Sequence, residues 1–343
     1  MWLHPLYQLT LSKVRELLRE PEALFWIFVF PVLLALALGI AFRSSGPQET
    51  TIGVQRGEGD GWFHEAIDGA RDLRAELLDP AAARQGLRTG KVAAVVIPGE
   101  PWTYWYDPTR PESRLALLSL NDALQRAAGR SDVADFVTRE MTEKGSRYID
   151  FLVPGLLGMN LMGTGMWGIG FYIVNARSKQ LLKRLVATPM RRSHYLLAQV
   201  GGRLVFLVLE VGLLVLFAVL VFDVPLRGSL AALGCVSLIG GMTFAGLGLL
   251  VASRPRTIEG VSGLMNFVML PMWIMSGIFF STSRFPEFLQ PLVQALPLTA
   301  VNDALRGVMI DGAGLIDVGG ELLIAAAWGL STFLAAVWLF RWS

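Results

Sequence analysis

Residues 23–42 read ALFWIFVFPVLLALALGIAF, a stretch of twenty residues without one charged side chain. An α-helix rises about 1.5 Å per residue, so a stretch of this length crosses the roughly 30 Å hydrocarbon core of a bilayer. A second apolar stretch, residues 196–222, is interrupted only by Arg203 and Glu210. Four more are free of charge: residues 151–174, 229–253, 260–283 and 322–340. Because lipid offers the backbone no hydrogen-bond partner, the sequence predicts an α-helical integral membrane protein with six transmembrane helices.

The charged residues concentrate between the first two of these spans. Of the 58 Lys, Arg, Asp and Glu residues in the chain, 30 lie in residues 43–148. This block alternates short apolar runs with turn residues, which is typical of a small domain rather than of a membrane segment. It predicts a small α/β domain inserted between helices 1 and 2. Its expected strands are residues 51–55, 92–97 and 102–106, and its expected helices are residues 61–73, 80–90 and 114–128.

The cations give the orientation of the chain. If the N-terminus is cytoplasmic, the short inner segments carry twelve Lys and Arg residues, whereas the short outer loops carry only Arg227, Arg284 and Arg306. Short cytoplasmic loops are enriched in cations, so both termini are expected inside and residues 43–148 outside. Residues 1–22 alternate apolar and charged positions at helical spacing before Pro21, which predicts an amphipathic interfacial helix on the cytoplasmic side.

Motifs of catalysis and of nucleic-acid binding are absent from the sequence. There is no His-Glu-x-x-His, no Gly-x-Ser-x-Gly and no metal-ligand spacing, and a net charge of +2 does not favour a nucleic-acid partner. Residues 86–91 resemble a phosphate-binding loop but lack one spacer residue and the Ser or Thr that would hold magnesium. We therefore expect no catalytic residue, no metal and no nucleotide site in this chain.

Three polar residues inside the apolar spans are candidates for a substrate pathway: Asn160, Glu210 and Asn266. A carboxyl group in a membrane helix is costly, so it normally faces the bundle interior, a partner charge or a water-filled cavity. Glu210 therefore lines a pathway or makes a structural ion pair or hydrogen bond, for which Arg203 is seven residues away. The Gly-x-Gly-x-x-Gly run at residues 163–168 is interpreted as a face for close helix packing, because it lies within a span.

The loop between the second and third spans is the most informative polar segment. Residues 176–195 contain six cations and no acid, together with the apolar ridge Leu181, Leu182, Leu185 and Val186. The helix should end at Thr188-Pro189, because the residue before proline disfavours the α region. An apolar ridge with basic flanks suits docking into a groove on another protein. Alternatively, the charge serves only to orient the chain in the membrane.

Three stretches resemble the ABC-2 type transporter permease family, the membrane subunits of a type of ABC exporter. The longest is residues 264–312, with its apolar fifth span, the run Ser276-Gly-Ile-Phe-Phe280 and a Pro-Leu-Thr segment. Residues 181–199 resemble the loop that follows the second span of the family, and residues 19–34 resemble the start of the first span. The family commonly opens that loop with a Glu-Arg-Glu-x-Gly run. Here residues 176–180 read ARSKQ, so any ion pair made by those acids is missing.

The resemblance implies a division of the chain and a set of partners. Residues 1–22 would be the interfacial helix, 23–42 the first span, 43–148 the extracytoplasmic domain and 149–343 the other five spans, with a re-entrant segment at 284–313. The chain would pair with a second, identical or related permease chain in the inner (cytoplasmic) membrane of a bacterium, in contact with lipid. ATP and magnesium would bind a separate ATP-binding subunit.

That subunit would rest on a coupling helix at residues 176–195. The residues expected to carry the coupling are Arg177, Leu181, Leu182, Arg184, Leu185, Thr188 and Pro189. The implied function is ATP-driven export of an amphipathic molecule, such as a drug, a lipid or a lipopeptide.

Two other functions fit parts of the sequence. A membrane sensor would bind a ligand with its extracytoplasmic domain and signal through the basic cytoplasmic loop. A secondary transporter would need more ionisable residues within its spans and an internal repeat, and the sequence shows neither.

Overall fold

A computed structural model describes residues 11, 15, 18–41, 49–131, 134, 145–180 and 192–339. The chain divides into two compact units, one formed by Met1–Arg43 with Thr142–Ser343 and one by Ser44–Met141. Most of the expected interfacial helix at residues 1–22 lies outside the described residues.

The larger unit is helical. Its first helix is interrupted by a π turn at Phe25–Val29, which separates α1 (Pro21–Leu24) from α2 (Phe30–Ala41). The small unit contributes α3 to α5, given below. The remaining helices of the larger unit are α6 (Tyr148–Ser178), α7 (Arg192–Phe222), α8 (Leu230–Val251), α9 (Ile258–Met275), α10 (Gln290–Ala295), α11 (Pro297–Arg306) and α12 (Gly319–Leu339).

Four of these helices are long and apolar enough to cross a membrane: Val205–Phe222 within α7, and α8, α9 and α12. Their outward surfaces are apolar, as Leu220, Phe267 and Trp338 illustrate with exposed fractions of 73%, 76% and 86%. A surface of this kind belongs in lipid rather than in water. The fold is therefore that of an α-helical membrane protein.

The other two expected spans are not among these four helices. Phe25–Ala41 is a shorter apolar helix, and α6 is 31 residues long but is not among the four. Most residues of α6 are buried against neighbouring helices, and its glycines together with Asn160 and Thr164 make it less apolar. A helix surrounded by protein does not need the hydropathy of one that faces lipid.

Small residues bring the helices of this unit close together. A Cβ atom added to Gly248 of α8 would lie 2.8 Å from the Cα atom of Met166 in α6. One added to Gly246 would lie 2.9 Å from the carbonyl oxygen of Gly329 in α12. The hydroxyl of Thr243 donates to the carbonyl oxygen of Ala325, at 2.8 Å, across the same contact. Helix α8 is therefore packed on α6 on one side and on α12 on the other.

Prolines divide the segment that follows α9 into short helical pieces. A 3-10 turn at Thr282–Arg284 precedes Pro286, and a second at Glu287–Leu289 follows it. Pro291 lies in the first turn of α10 and Pro297 in the first turn of α11, where the missing N–H leaves no hydrogen bond unmade. A π turn at Gly307–Asp311 ends the segment.

The smaller unit is an α/β fold with helices on both faces of a four-stranded sheet. The strand order is β2-β1-β3-β4, with β1 parallel to β2 and β3, and β4 antiparallel to β3. One core lies between the sheet and α3 with α5, and a smaller core lies under α4. The elements are β1 (Thr50–Gln55), α3 (Asp60–Asp68), β2 (Leu73–Leu78), α4 (Pro80–Thr89), β3 (Ala94–Ile97), β4 (Thr103–Tyr106) and α5 (Pro111–Ala127).

One element of this unit was missed by the sequence analysis. The helix expected at residues 61–73 ends at Asp68, and Leu73 begins a strand instead. The strand is held by its parallel pairing with β1, where Ile52 is opposite Ala75. The run Leu-Arg-Ala-Glu-Leu-Leu has no β-branched residue, so only this pairing identifies it as a strand.

Candidate functional site

A cavity of about 1080 Å³ lies among the first helix, α6, α7 and α9. Seven aromatic residues line it: Trp26, Phe30, Trp167, Phe171, Tyr172, Phe206 and Trp273. A cavity of this volume accommodates a molecule of drug size. Aromatic rings supply large apolar contact areas, and the Trp and Tyr rings add polar tips.

Three polar residues at the wall of the cavity, Asn160, Thr164 and Glu210, are connected by hydrogen bonds. Asn160 lines the cavity and donates from Nδ2 to the carbonyl oxygen of Ile27, at 3.4 Å, within the π turn of the first helix. The hydroxyl of Thr164 donates to the carbonyl oxygen of Asn160 at 2.7 Å and lies 3.3 Å from Oε1 of Glu210. Glu210 is 1% exposed and is not among the lining residues. It therefore lies behind Thr164, which presents the polar surface to the cavity.

Charged residues add to the amphipathic character of the cavity, whereas the indole Nε1 of Trp273 is buried and is not exposed to it. Arg19, Glu20 and Glu22 line the part formed by the start of the first helix, so charged groups stand beside aromatic ones.

The structure separates the three residues expected in the pathway. Asn160 lines the cavity, Glu210 reaches it through Thr164, and Asn266 is exposed on α9 and does not line it. The aromatic lining residues and Thr164 were missed by the sequence analysis. Tryptophan within an apolar span, as at Trp167, was the available signal, because Trp in membrane helices concentrates at the interfaces rather than inside.

The glycine run of α6 serves two surfaces rather than one. Gly163 and Gly168 line the cavity, and a Cβ atom added to either meets nothing within 4 Å. Gly165, by contrast, packs on α8, where an added Cβ would lie 2.8 Å from that of Phe244. The interpretation of the run as a packing face holds for Gly165, whereas Gly163 and Gly168 leave room in the cavity.

Arg177 ties the last turn of α6 to the end of α8. Its Nη1 atom donates to the carbonyl oxygens of Ala252 and Pro255 at 3.0 and 2.6 Å, and Nη2 donates to that of Ser253 at 3.2 Å. The side chain is therefore an anchor at the base of the loop. The other expected coupling residues, Leu181, Leu182, Arg184, Leu185, Thr188 and Pro189, lie outside the described residues.

A second polar cluster holds the opposite end of the bundle. The Arg306 guanidinium lies 3.9 Å from the centroid of the Phe151 ring and donates to the carbonyl oxygen of Gly277. Asn302 donates from Nδ2 to the carbonyl oxygen of Ser276 at 2.8 Å, and Tyr148 donates from its hydroxyl to that of Phe279 at 2.9 Å. Three side chains from α6 and α11 thus fix the non-helical segment that follows α9.

Arg147 connects the start of α6 with the end of α7. Its Nη2 atom donates to Oδ1 of Asp150 at 2.7 Å and to the carbonyl oxygen of Asp223 at 3.0 Å. The hydrogen bond to Asp150 raises the pKa of Arg147 above its ordinary value, so the guanidinium stays charged at neutral pH. No group of three or more His, Cys, Asp or Glu residues that could hold a metal ion occurs in the described ranges.

Comparison with known proteins identifies the family of this chain. The model of a family described as ABC-2 family transporter protein matches residues 21–338, nearly the whole chain. The probable multidrug ABC transporter permease YbhS of Escherichia coli is 21% identical over 364 residues, covering 96% of this chain and 95% of the relative.

Two other relatives match the chain over a shorter stretch. The inner membrane transport permease YadH of Escherichia coli is 26% identical over 200 residues, 58% of this chain and 75% of the relative. The ABC transporter G family member 20 of Dictyostelium discoideum is also 26% identical, over 194 residues. That match covers 56% of this chain but spans only 27% of the relative.

Proposed function

Because the chain belongs to the ABC-2 family of transporter proteins, we propose that it is the permease subunit of an ATP-driven exporter of an amphipathic molecule. The observation that carries the proposal is the aromatic cavity between membrane helices, in a chain that the family model matches over residues 21–338. The transported molecule is a drug, a lipid or a lipopeptide, and it moves out of the cytoplasm or the inner leaflet.

The assembly has three kinds of component. Two permease chains, identical or related, form the membrane part, and a separate ATP-binding subunit with magnesium hydrolyses ATP. The chain crosses the inner membrane of a bacterium six times, with both termini in the cytoplasm and the α/β unit outside. The names of the relatives YadH and YbhS, an inner membrane transport permease and a probable multidrug ABC transporter permease, support the inner membrane and a drug as substrate.

The cavity suits a molecule with both apolar and polar parts. The rings of Trp26, Trp167 and Trp273 contact the apolar part, whereas Thr164 and Asn160 contact the polar part. Few polar groups in an otherwise apolar wall bind many related molecules, because most of the contact area carries no directional requirement.

Arg177 gives a physical route from the coupling segment, residues 176–195, to the cavity. Helix α6 leads from that segment to the cavity, which it lines from Met159 to Asn175. Its last turn is bound to the end of α8 by the three hydrogen bonds of Arg177. A force applied to the loop beyond Arg177 is therefore transmitted to both helices together.

Replacing Leu182 and Leu185 together with aspartate is expected to release the ATP-binding subunit. Two carboxylates on the apolar ridge would have to be desolvated in the groove of the partner, at a cost of several kcal/mol. The measurement is the amount of ATP-binding subunit that copurifies with the tagged permease in detergent, with an expected loss of more than tenfold.

The matched control is Leu182→Met with Leu185→Met, which keeps the ridge apolar at almost unchanged volume. It should copurify the subunit as the unaltered chain does. If the aspartate variant also retains the full amount of the subunit, residues 176–195 are not the docking site.

Removing the hydroxyl of Thr164 is expected to weaken substrate binding while leaving the complex assembled. Thr164→Val keeps the shape of the side chain but loses the hydrogen bond between the hydroxyl and the substrate, which is worth about 0.5–1.5 kcal/mol. The substrate concentration that half-maximally stimulates the ATPase of the purified complex should rise about 3- to 10-fold. Glu210→Gln, which alters the group behind Thr164, should lower the same stimulation without loss of assembly.

Thr164→Ser retains the hydroxyl and serves as the control, with a half-maximal concentration close to that of the unaltered chain. Equal stimulation curves for Thr164→Val and the unaltered chain would remove Thr164 from the binding surface. Full stimulation in Glu210→Gln would make Glu210 a structural residue only.

A further inference from the structure

The strand order of the α/β unit defines a crevice at one edge of its sheet. The chain leaves β1 for β2 on one side, then returns past β1 to β3 on the other. The carboxyl ends of β1 and β3 are therefore neighbours at a point where the winding direction reverses. Open α/β sheets bind their ligands in the crevice at such a point. We call this end of the sheet, formed by residues 56–62 and 98–102, the carboxyl edge.

Two tryptophans stand at the carboxyl edge. Trp62 lies in the first turn of α3 and Trp102 directly precedes β4, with their ring centroids 5.7 Å apart. The buried Phe63 packs edge to face against Trp102, with a centroid distance of 5.6 Å and an interplanar angle of 80°. Trp62 is 41% exposed although it is a large aromatic residue. The pair therefore offers an aromatic surface to solvent on a rigid base.

The backbone beside this pair leaves open space. Gly57 and Gly59 lie in the loop from β1 into α3 and Gly61 lies in the first turn of α3, and a Cβ atom added to any of them would meet nothing within 4 Å. Gly59 has a φ of +84°, the left-handed region in which glycine is favoured. At these three positions the chain therefore carries no side chain that would fill the open space.

The charge of the carboxyl edge is negative. The one cation of the two loops, Arg56, is paired with Asp79 at 3.7 Å. Glu58, Asp60 and Glu100 remain, and none of them forms an ion pair with a cation of the described residues. Three uncompensated carboxylates repel anions and attract cations.

An exposed aromatic pair at an edge that also carries carboxylates has a defined chemical preference. Aromatic faces attract ammonium groups through the negative potential above the ring, and tryptophan does so most strongly. The apolar part of a ligand would stack on Trp62 and Trp102, and the carboxylates would attract its charge. We propose that the carboxyl edge binds an organic cation that carries an aromatic or aliphatic group. The proposal does not depend on the exporter function.

The test is a titration of the full-length chain, labelled with 5-fluorotryptophan and purified in lipid nanodiscs, followed by fluorine NMR. The probe is benzyltrimethylammonium, a quaternary ammonium ion with one aromatic ring. The resonance of Trp62, assigned by its absence in Trp62→Phe, is expected to shift and to saturate. Binding in the membrane cavity would instead shift the resonances of Trp26, Trp167 and Trp273, so the two sites are distinguished.

The carboxylates of the protein and the positive charge of the ligand are tested separately from the ligand's aromatic ring. Replacing both Glu58 and Glu100 with glutamine should raise the dissociation constant about five-fold, the change that two screened attractions of this kind give. Glu112→Gln, an exposed position at the opposite edge of the sheet, should leave the dissociation constant unchanged. Benzyl alcohol and benzoate, which carry the ring without the positive charge, should shift the Trp62 resonance weakly or not at all.

A Trp62 resonance that does not respond to benzyltrimethylammonium overturns the proposal. So does an equal response to benzyl alcohol, or an unchanged dissociation constant in the double glutamine variant. None of these results involves ATP or transport, so each would leave the exporter function standing.

Discussion

Replacing Gly248 with alanine is expected to lower the melting temperature of the purified chain by several degrees or to prevent its folding. The new Cβ atom would lie 2.8 Å from both the Cα atom and the carbonyl oxygen of Met166. These are main-chain atoms of α6, so no side-chain rotation relieves the contact and the two helices must separate. Overpacking of a well-packed core costs about 1–3 kcal/mol, and a contact with backbone belongs at the upper end of that range. Thermal unfolding in detergent, followed by size-exclusion chromatography after heating, measures the effect.

Gly234→Ala, on the same helix, is the matched control. A Cβ atom at this position meets nothing within 4 Å, and alanine is favoured over glycine in a helix by about 0.5–1 kcal/mol. The melting temperature of this variant should stay the same or rise slightly. If both variants lose equal stability, α6 and α8 do not approach each other as closely as the structure has them.

The four helices that are long and apolar enough to cross a membrane coincide with apolar stretches of the sequence, but one of their ends could not be predicted. The fifth expected span extends to residue 283, whereas α9 ends at Met275. Gly277 then adopts a φ of +70°, its carbonyl oxygen accepts a hydrogen bond from Arg306, and that of Phe279 accepts one from Tyr148. Apolar residues such as Ile278, which is fully buried, look the same in a sequence whether they face lipid or protein. The donors that end the helix come from distant parts of the chain.

The candidate site was predictable only in part, for a similar reason. Asn160 and Glu210 stand out in the sequence because each is a costly group within an apolar span. Thr164 does not, because a threonine hydroxyl in a membrane helix can bond to its own backbone four residues earlier, as it does here with Asn160. Its position between the cavity and Glu210 follows from the packing of α6 against α7, and only the structure gives that packing.

Transport by the reconstituted complex should depend completely on the separate ATP-binding subunit. Vesicles that contain the permease and this subunit, with the cytoplasmic face outward, are expected to accumulate a fluorescent amphipathic dye when ATP and magnesium are added. Vesicles with the permease alone, or with the Leu182→Asp and Leu185→Asp chain, should accumulate none, because the free energy of ATP hydrolysis no longer reaches the cavity. The expected loss is the whole of the ATP-dependent signal.

Dye accumulation in these vesicles is the most direct test, because a permease without its own source of free energy cannot build a concentration gradient of the dye. The account predicts uptake only when permease, ATP-binding subunit and ATP are present together. ATP-independent uptake or exchange by the permease alone, driven by an ion gradient, would identify a secondary transporter and contradict the account.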